Sequence, residues 1–68
     1  MEQEYQEEAG AYQIKAQLQS SVLRFRILDK ADGVEVLTGG VALDESPQRD
    51  EIVLLVKTYL RKFAALNP

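Results

Sequence analysis

The chain is 68 residues long, carries 11 acidic against eight basic residues for a net charge of -3, and has neither cysteine nor histidine. Disulfides are excluded, and so are the usual zinc and copper sites and the histidine- or thiol-based catalytic constellations. A domain this small buries only about 60% of the surface its unfolded chain exposes. With no disulfide and no metal, the remaining source of added stability is a partner subunit.

The acidic balance argues against gripping nucleic acid over a large area, because such binding rests on neutralising phosphates. No stretch approaches the roughly 18 apolar residues of a membrane span. The start, MEQEYQEEAG, is acidic and polar and does not read as a signal peptide, which needs a basic beginning and an apolar run. These features describe a soluble, cytoplasmic protein without a membrane association.

Residues 1–10 hold four glutamates and two glutamines, with Tyr5 and Ala9 as partly apolar contacts. Such a segment buries too little to offset its ordering entropy, so composition predicts an acidic, flexible N-terminal tail or a frayed helical turn, ending at Gly10. A single domain over residues 11–68 follows.

From Tyr12 the pattern alternates strictly, with Tyr12, Ile14, Ala16 and Leu18 on one side and Gln13, Lys15, Gln17 and Gln19 on the other. That is a half-buried antiparallel strand. After Ser20-Ser21 a second run sets Leu23, Phe25 and Ile27 against Val22, Arg24, Arg26 and Leu28. If the two serines form the turn, Leu18 faces Leu23, Ala16 faces Phe25 and Ile14 faces Ile27, while Gln17 meets Arg24 and Lys15 meets Arg26. A slip by one residue would set each apolar group against a polar one. Two serines are not a favoured primed turn, which leaves room for a longer connection.

DKADG at 29–33 reads as the next turn, with Gly33 supplying a positive φ. Residues 34–38 then form a third strand with Val34, Val36 and Thr38 inward and Glu35 and Leu37 outward. Gly39-Gly40 marks a bend, a bulge or a hairpin turn. Residues 41–43 are available as a short fourth strand at the edge.

Ser46-Pro47 reads as a helix start, serine as N-cap and proline at the first helical position. The helix runs to Leu66, with Asn67 suited to a left-handed C-terminal conformation and Pro68 unable to continue. Its charges follow the macrodipole: Asp44, Glu45, Asp50 and Glu51 near the start, Lys57, Arg61 and Lys62 toward the end. At 100° per residue, Ile52, Leu55, Val56, Tyr59, Leu60, Phe63 and Leu66 form one stripe, while Leu54 lands on the opposite face. The expected fold is α+β, a three-stranded antiparallel meander with the short extra strand available, packed against one long C-terminal helix.

Little in this chain suggests catalysis. Ser20, Ser21 and Ser46 have turn or capping roles, and the carboxylate pairs Asp29 with Asp32 and Asp44 with Glu45 sit at turn or helix-start signals rather than in a pocket. DKADG lacks the ligand spacing and closing glutamate of a calcium loop, and a lone Gly-Gly is not a phosphate-cradling fingerprint. The reading is no enzyme, no cofactor and no metal.

Two surface features remain. Lys15, Arg24 and Arg26 cluster on the outer sheet face as a candidate basic patch, but the strand aromatics Tyr12 and Phe25 fall on the core side, so only the charge half of a nucleic-acid footprint is present. Its plain alternative is a set of cations that keeps an exposed face soluble. The apolar surplus, in contrast, exceeds what three short strands can cover, with Leu54, Leu37, Val22 and Leu28 left over. Leu54, Tyr59 and Phe63 are candidate interface residues, the two aromatics having core packing as an equally good role. The leading reading is therefore a small non-enzymatic interaction or accessory protein, self-associating as a homodimer and binding another protein or other macromolecule. The alternative is a regulatory nucleic-acid-binding module whose basic patch is shielded by the acidic tail.

Overall fold

The structure, a computed structural model, describes residues 3–43 and 47–67. Four strands, β1 (Gln3–Ala9), β2 (Tyr12–Gln19), β3 (Val22–Asp29) and β4 (Glu35–Ala42), pair in chain order as an antiparallel meander, and one helix, α1 (Arg49–Leu66), packs on one face. This is the α+β layout that the hydrophobic patterning predicts, with a full fourth strand. Among the described residues no helix is long and apolar enough to cross a membrane.

The central hairpin has the register that side-chain pairing dictates: Leu18 opposite Leu23, Ala16 opposite Phe25, Ile14 opposite Ile27, with Gln17 beside Arg24 and Lys15 beside Arg26. Ser20 and Ser21 close it at φ 48° and 67°, the double positive φ of a type I′ turn. Left-handed backbone costs a residue with a Cβ roughly 1–2 kcal/mol. Burial of Ile14, Leu23 and Ile27 in the core, at about 1.5–3 kcal/mol each, outweighs that cost at both serines, so the turn is imposed by the strands rather than by its own sequence.

The expected tail over residues 1–10 is, from Gln3, not a tail; its first two residues lie outside the described residues. Gln3–Ala9 is a strand paired along its length with β2, from Gln3 opposite Leu18 to Ala9 opposite Tyr12. Gly10, at φ 57°, is the first residue of a two-residue turn rather than a domain boundary. Composition understates this segment because alternation concentrates its few useful contacts on one face. Tyr5 is buried in the core and Ala9 packs against it. The Arg49 guanidinium lies 5.1 Å from the Tyr5 ring centre, a cation–π contact. Glu7 and Glu8 meet Lys57 and Lys30 at 3.8 and 3.7 Å. Burying a large apolar side chain is worth about 1.5–3 kcal/mol, which together with a complete backbone ladder is enough to dock a strand of seven residues.

The third predicted strand is longer than expected; Glu35 lies outward as expected, but past it the strand faces the other way. β4 runs unbroken through Gly39-Gly40 and includes residues 41 and 42, so the glycines make neither a turn nor a separate edge strand. Ile27 pairs with Leu37 while Leu28 pairs with Glu35, which leaves Val36 as an extra residue in a bulge. The bulge shifts the alternation by one. Leu37, Gly39 and Val41 therefore share the helix side with Ile27, Phe25 and Leu23, and Thr38 lies outward beside Arg26. Gly39 leaves room there for Phe25, since a Cβ would come within 2.9 Å of its ring and force the ring or the strand to shift.

Helix α1 begins two residues later than its sequence signal. Gln48, extended at φ -68° and ψ 152°, is the N-cap residue and accepts backbone bonds from Glu51 and Ile52. Pro47 precedes it, and Ser46, Asp44 and Glu45 lie outside the described residues. At the other end Asn67 is not left-handed, having φ -134°. Instead its backbone and side-chain N–H groups both donate to the Phe63 carbonyl.

The core is formed by Tyr5, Ile14, Ala16, Leu23, Phe25, Ile27, Ile52, Val56 and Leu60. Ile52, Val56 and Leu60 recur every four residues, one narrow strip of the predicted stripe, and Leu66, placed in that stripe by periodicity, is 81% exposed at the last helical position. The helix packs chiefly on β1 and β2. No residue of β4 reaches the buried class.

Candidate functional site

The sheet face away from the helix curves into an open trough of ≈ 800 Å³. Its geometry follows from alternation along each strand and register across them. One row carries Gln6, Lys15, Arg26 and Thr38 across the four strands, and the next carries Glu4, Gln17, Arg24 and Gly40. Beneath these rows Tyr5, Ala16, Phe25 and Gly39 contribute the floor, with Tyr5, Ala16 and Phe25 directing their side chains to the core on the other side.

The predicted basic patch is thus assembled in one place. Lys15, Arg24 and Arg26 face a single carboxylate among the lining residues, Glu4, in a chain whose net charge is -3. Positive charge is concentrated here against the trend of the molecule. Arg26 also approaches Glu35 at 3.9 Å, but both side chains are largely solvated, and exposed pairs of this kind contribute about 0–1 kcal/mol. Lys15 and Arg24 form no ion pair among the described residues.

The aromatics take no part in this surface. Phe25 stacks on Tyr59 at 5.1 Å and Tyr12 meets Phe63 edge-on at 4.9 Å, all on the helix side. Tyr59 and Phe63, predicted as interface candidates, therefore pack within the chain and are half-buried. Leu54 does lie on the opposite helix face, 65% exposed.

Two contributions to the surface were not legible in the sequence. Gly40 leaves an open place beside Arg24, where an added Cβ would make only ordinary contacts; nothing in a Gly-Gly pair announces this before the register is known. Val34, Val36 and Leu37 form an exposed apolar run along β4. Alternation assigns Val34 and Val36 to the core and Leu37 outward; the bulge at Val36 reverses the faces only from there on, and all three stay exposed.

Of the carboxylates weighed for catalysis, Asp29 and Asp32 hold the β3–β4 turn, while Asp44 and Glu45 lie outside the described residues. An Asp29 side-chain oxygen accepts from the Ala31 N–H at 2.8 Å, and an Asp32 oxygen accepts from Val34 at 2.9 Å, two Asx-type turns within the loop closed by Gly33. The described residues contain no cluster of three potential metal ligands.

The chain matches no known family model, no curated protein and no solved structure.

Proposed function

We propose that this is a small non-enzymatic interaction protein of the cytoplasm that works as a homodimer, two copies meeting along β4. The observation that carries the reading is the unguarded character of that edge. Exposed edge strands template pairing with other chains, and proteins usually blunt them with lysine, proline or inward charges. β4, with the sequence EVLTGGVA, has a single charge, Glu35, at its first residue and no proline. The opposite edge, β1, carries three glutamates in seven residues.

A second copy is the occupant this edge suits. Antiparallel pairing of β4 with its own twofold mate is self-complementary and closes at two subunits, whereas β4 against β1 of another copy would propagate without end. The pairing would also cover Val34, Val36 and Leu37, which one chain leaves exposed, and would supply the added stability that so small a disulfide-free chain lacks.

Light scattering over a concentration series tests this. The wild-type chain is expected to reach a dimer mass, Leu37→Lys to remain a monomer with an unchanged circular dichroism spectrum, and Leu54→Asp to dimerise like wild type. A monomer at every concentration overturns self-association. A dimer broken by Leu54→Asp but not by Leu37→Lys moves the interface to the far face of the helix and removes β4 from the argument.

A further inference from the structure

We infer that the concave sheet face is a binding site for the phosphodiester backbone of a single-stranded nucleic acid, held by Arg24, Arg26 and Lys15 without base-specific contacts. The inference stands on the trough and its charge, and it does not depend on how many copies assemble.

Three features of the trough select the ligand. The first is sign, three cations against one carboxylate, Glu4, among the lining residues and one, Glu35, at their rim, in a chain with a net charge of -3. Charge segregated against the molecular average attracts anions locally, because at physiological ionic strength the screening length is only about 8 Å. The second is availability. Lys15 and Arg24 have no ion pair among the described residues, and the 3.9 Å contact of Arg26 with Glu35 is exposed and readily exchanged for a phosphate. An arginine fork matches phosphate oxygens with paired hydrogen bonds, while lysine acts as a point charge.

The third is spacing. Arg24 and Arg26 are alternate residues of β3 on one face, and a strand rises about 3.3 Å per residue, which places the roots of their side chains roughly 6.6 Å apart. That is comparable to the separation of successive phosphates along an extended single strand. Lys15 sits directly across from Arg26 on β2, so the cations form a short bent track. A nucleic-acid strand presents this charge repeat whatever its sequence. An acidic peptide would do so only if its carboxylates alternated.

The form of the face sets the mode. Four strands about 4.8 Å apart span roughly 14 Å, wide enough for one extended strand beside the row of cations. With every strand aromatic on the helix side, bases have no stacking platform here, so the contribution of about 1–3 kcal/mol per base that stacking makes elsewhere is missing. Contact is through the backbone, and the affinity should be weak and strongly salt-dependent. The segment expected to shield the patch does not lie over it. As β1 it forms one wall, contributing Glu4 and Gln6.

The test is fluorescence anisotropy of labelled oligo-dT with the full chain over a range of salt concentrations. Three phosphate contacts predict a log–log salt slope near about -2 for a single strand. Arg24→Gln is expected to weaken binding several-fold at low salt and to flatten the slope by about 0.7. Gly40→Asp places a carboxylate beside Arg24 where the backbone has room for a Cβ, and should weaken binding at least as much. Thermal unfolding checks both variants; should Gly40→Asp fail to fold, the exposed Arg24→Gln decides alone. No binding at low salt overturns the inference, as does binding that neither substitution alters, which would leave the cations merely keeping an exposed face soluble. A duplex of equal length is expected to bind less tightly. If poly-glutamate displaces labelled oligo-dT as efficiently as unlabelled oligo-dT does, the site is one for acidic peptides and the nucleic-acid assignment is withdrawn.

Discussion

The two edges of the sheet reverse what their compositions suggest. β1 is the most acidic segment of the chain, yet the helix lies against it, Tyr5 reaches the core, and Arg49, Lys57 and Lys30 each tie it to another element. β4 is mostly apolar, yet none of its residues is buried and the helix packs chiefly elsewhere. Burial here follows from where the helix comes to rest. Hydrophobic content decides which faces can be covered, and the packing of α1 on β1 and β2 decides which of them are.

The largest effect expected from this contrast is at Tyr5. Tyr5→Ala removes a buried ring and with it the cation–π contact to Arg49, and by analogy with other large aromatic truncations it should cost about 3 kcal/mol. In a domain this size that is a large fraction of a total near 3–10 kcal/mol. Urea unfolding measures it, and an unchanged midpoint would restore residues 1–10 to the status of a tail.

The corresponding probe of β4 is Gly39→Val. The added side chain meets the Phe25 ring, which is itself held against Tyr59, and overpacking of this kind typically costs about 1–3 kcal/mol. A smaller loss than at Tyr5 is expected because β4 is open to solvent and can shift. A loss as large as at Tyr5 would mean that β4 is clamped as firmly as β1 and would erase the contrast.

The smallest effect concerns the charges that tie β1 to the helix. Lys57→Ala removes a partly exposed contact to Glu7, for which about 0.2–1 kcal/mol is the usual range. The loss should shrink further in high salt. If it rivals that of Tyr5→Ala, electrostatics rather than ring burial docks the acidic strand.

The hairpin of β2 and β3 shows why some of the fold was legible. Ile14, Ala16 and Leu18 opposite Ile27, Phe25 and Leu23 admit one register, and that register also brings Lys15, Arg24 and Arg26 together, so the cations of the candidate site followed from local pattern. β1 was illegible because its alternation has only Tyr5 and Ala9 to mark it, and their value depends on a helix more than 40 residues away in the chain. β4 was misassigned because a bulge leaves no mark in a run such as VEVLT, where either face reads as apolar. The late start of α1 has a similar cause. Ser46-Pro47 is a sound local signal, but the helix takes Gln48 as its N-cap, and packing on β1 and β2 is not written into those two residues.

What the sequence determined by itself was class and periodicity: strands that alternate, one amphipathic helix ending at Leu66, and the absence of cysteine and histidine. These are properties of neighbouring residues, fixed by backbone geometry and side-chain chemistry at short range. Tertiary structure alone decided that an acidic segment would become a strand, that Thr38 and Leu37 would exchange faces, and that Gly40 would leave a trough open beside Arg24. Each of these depends on which surfaces meet across long stretches of chain, where the free energy of a contact belongs to both partners and neither segment encodes it alone.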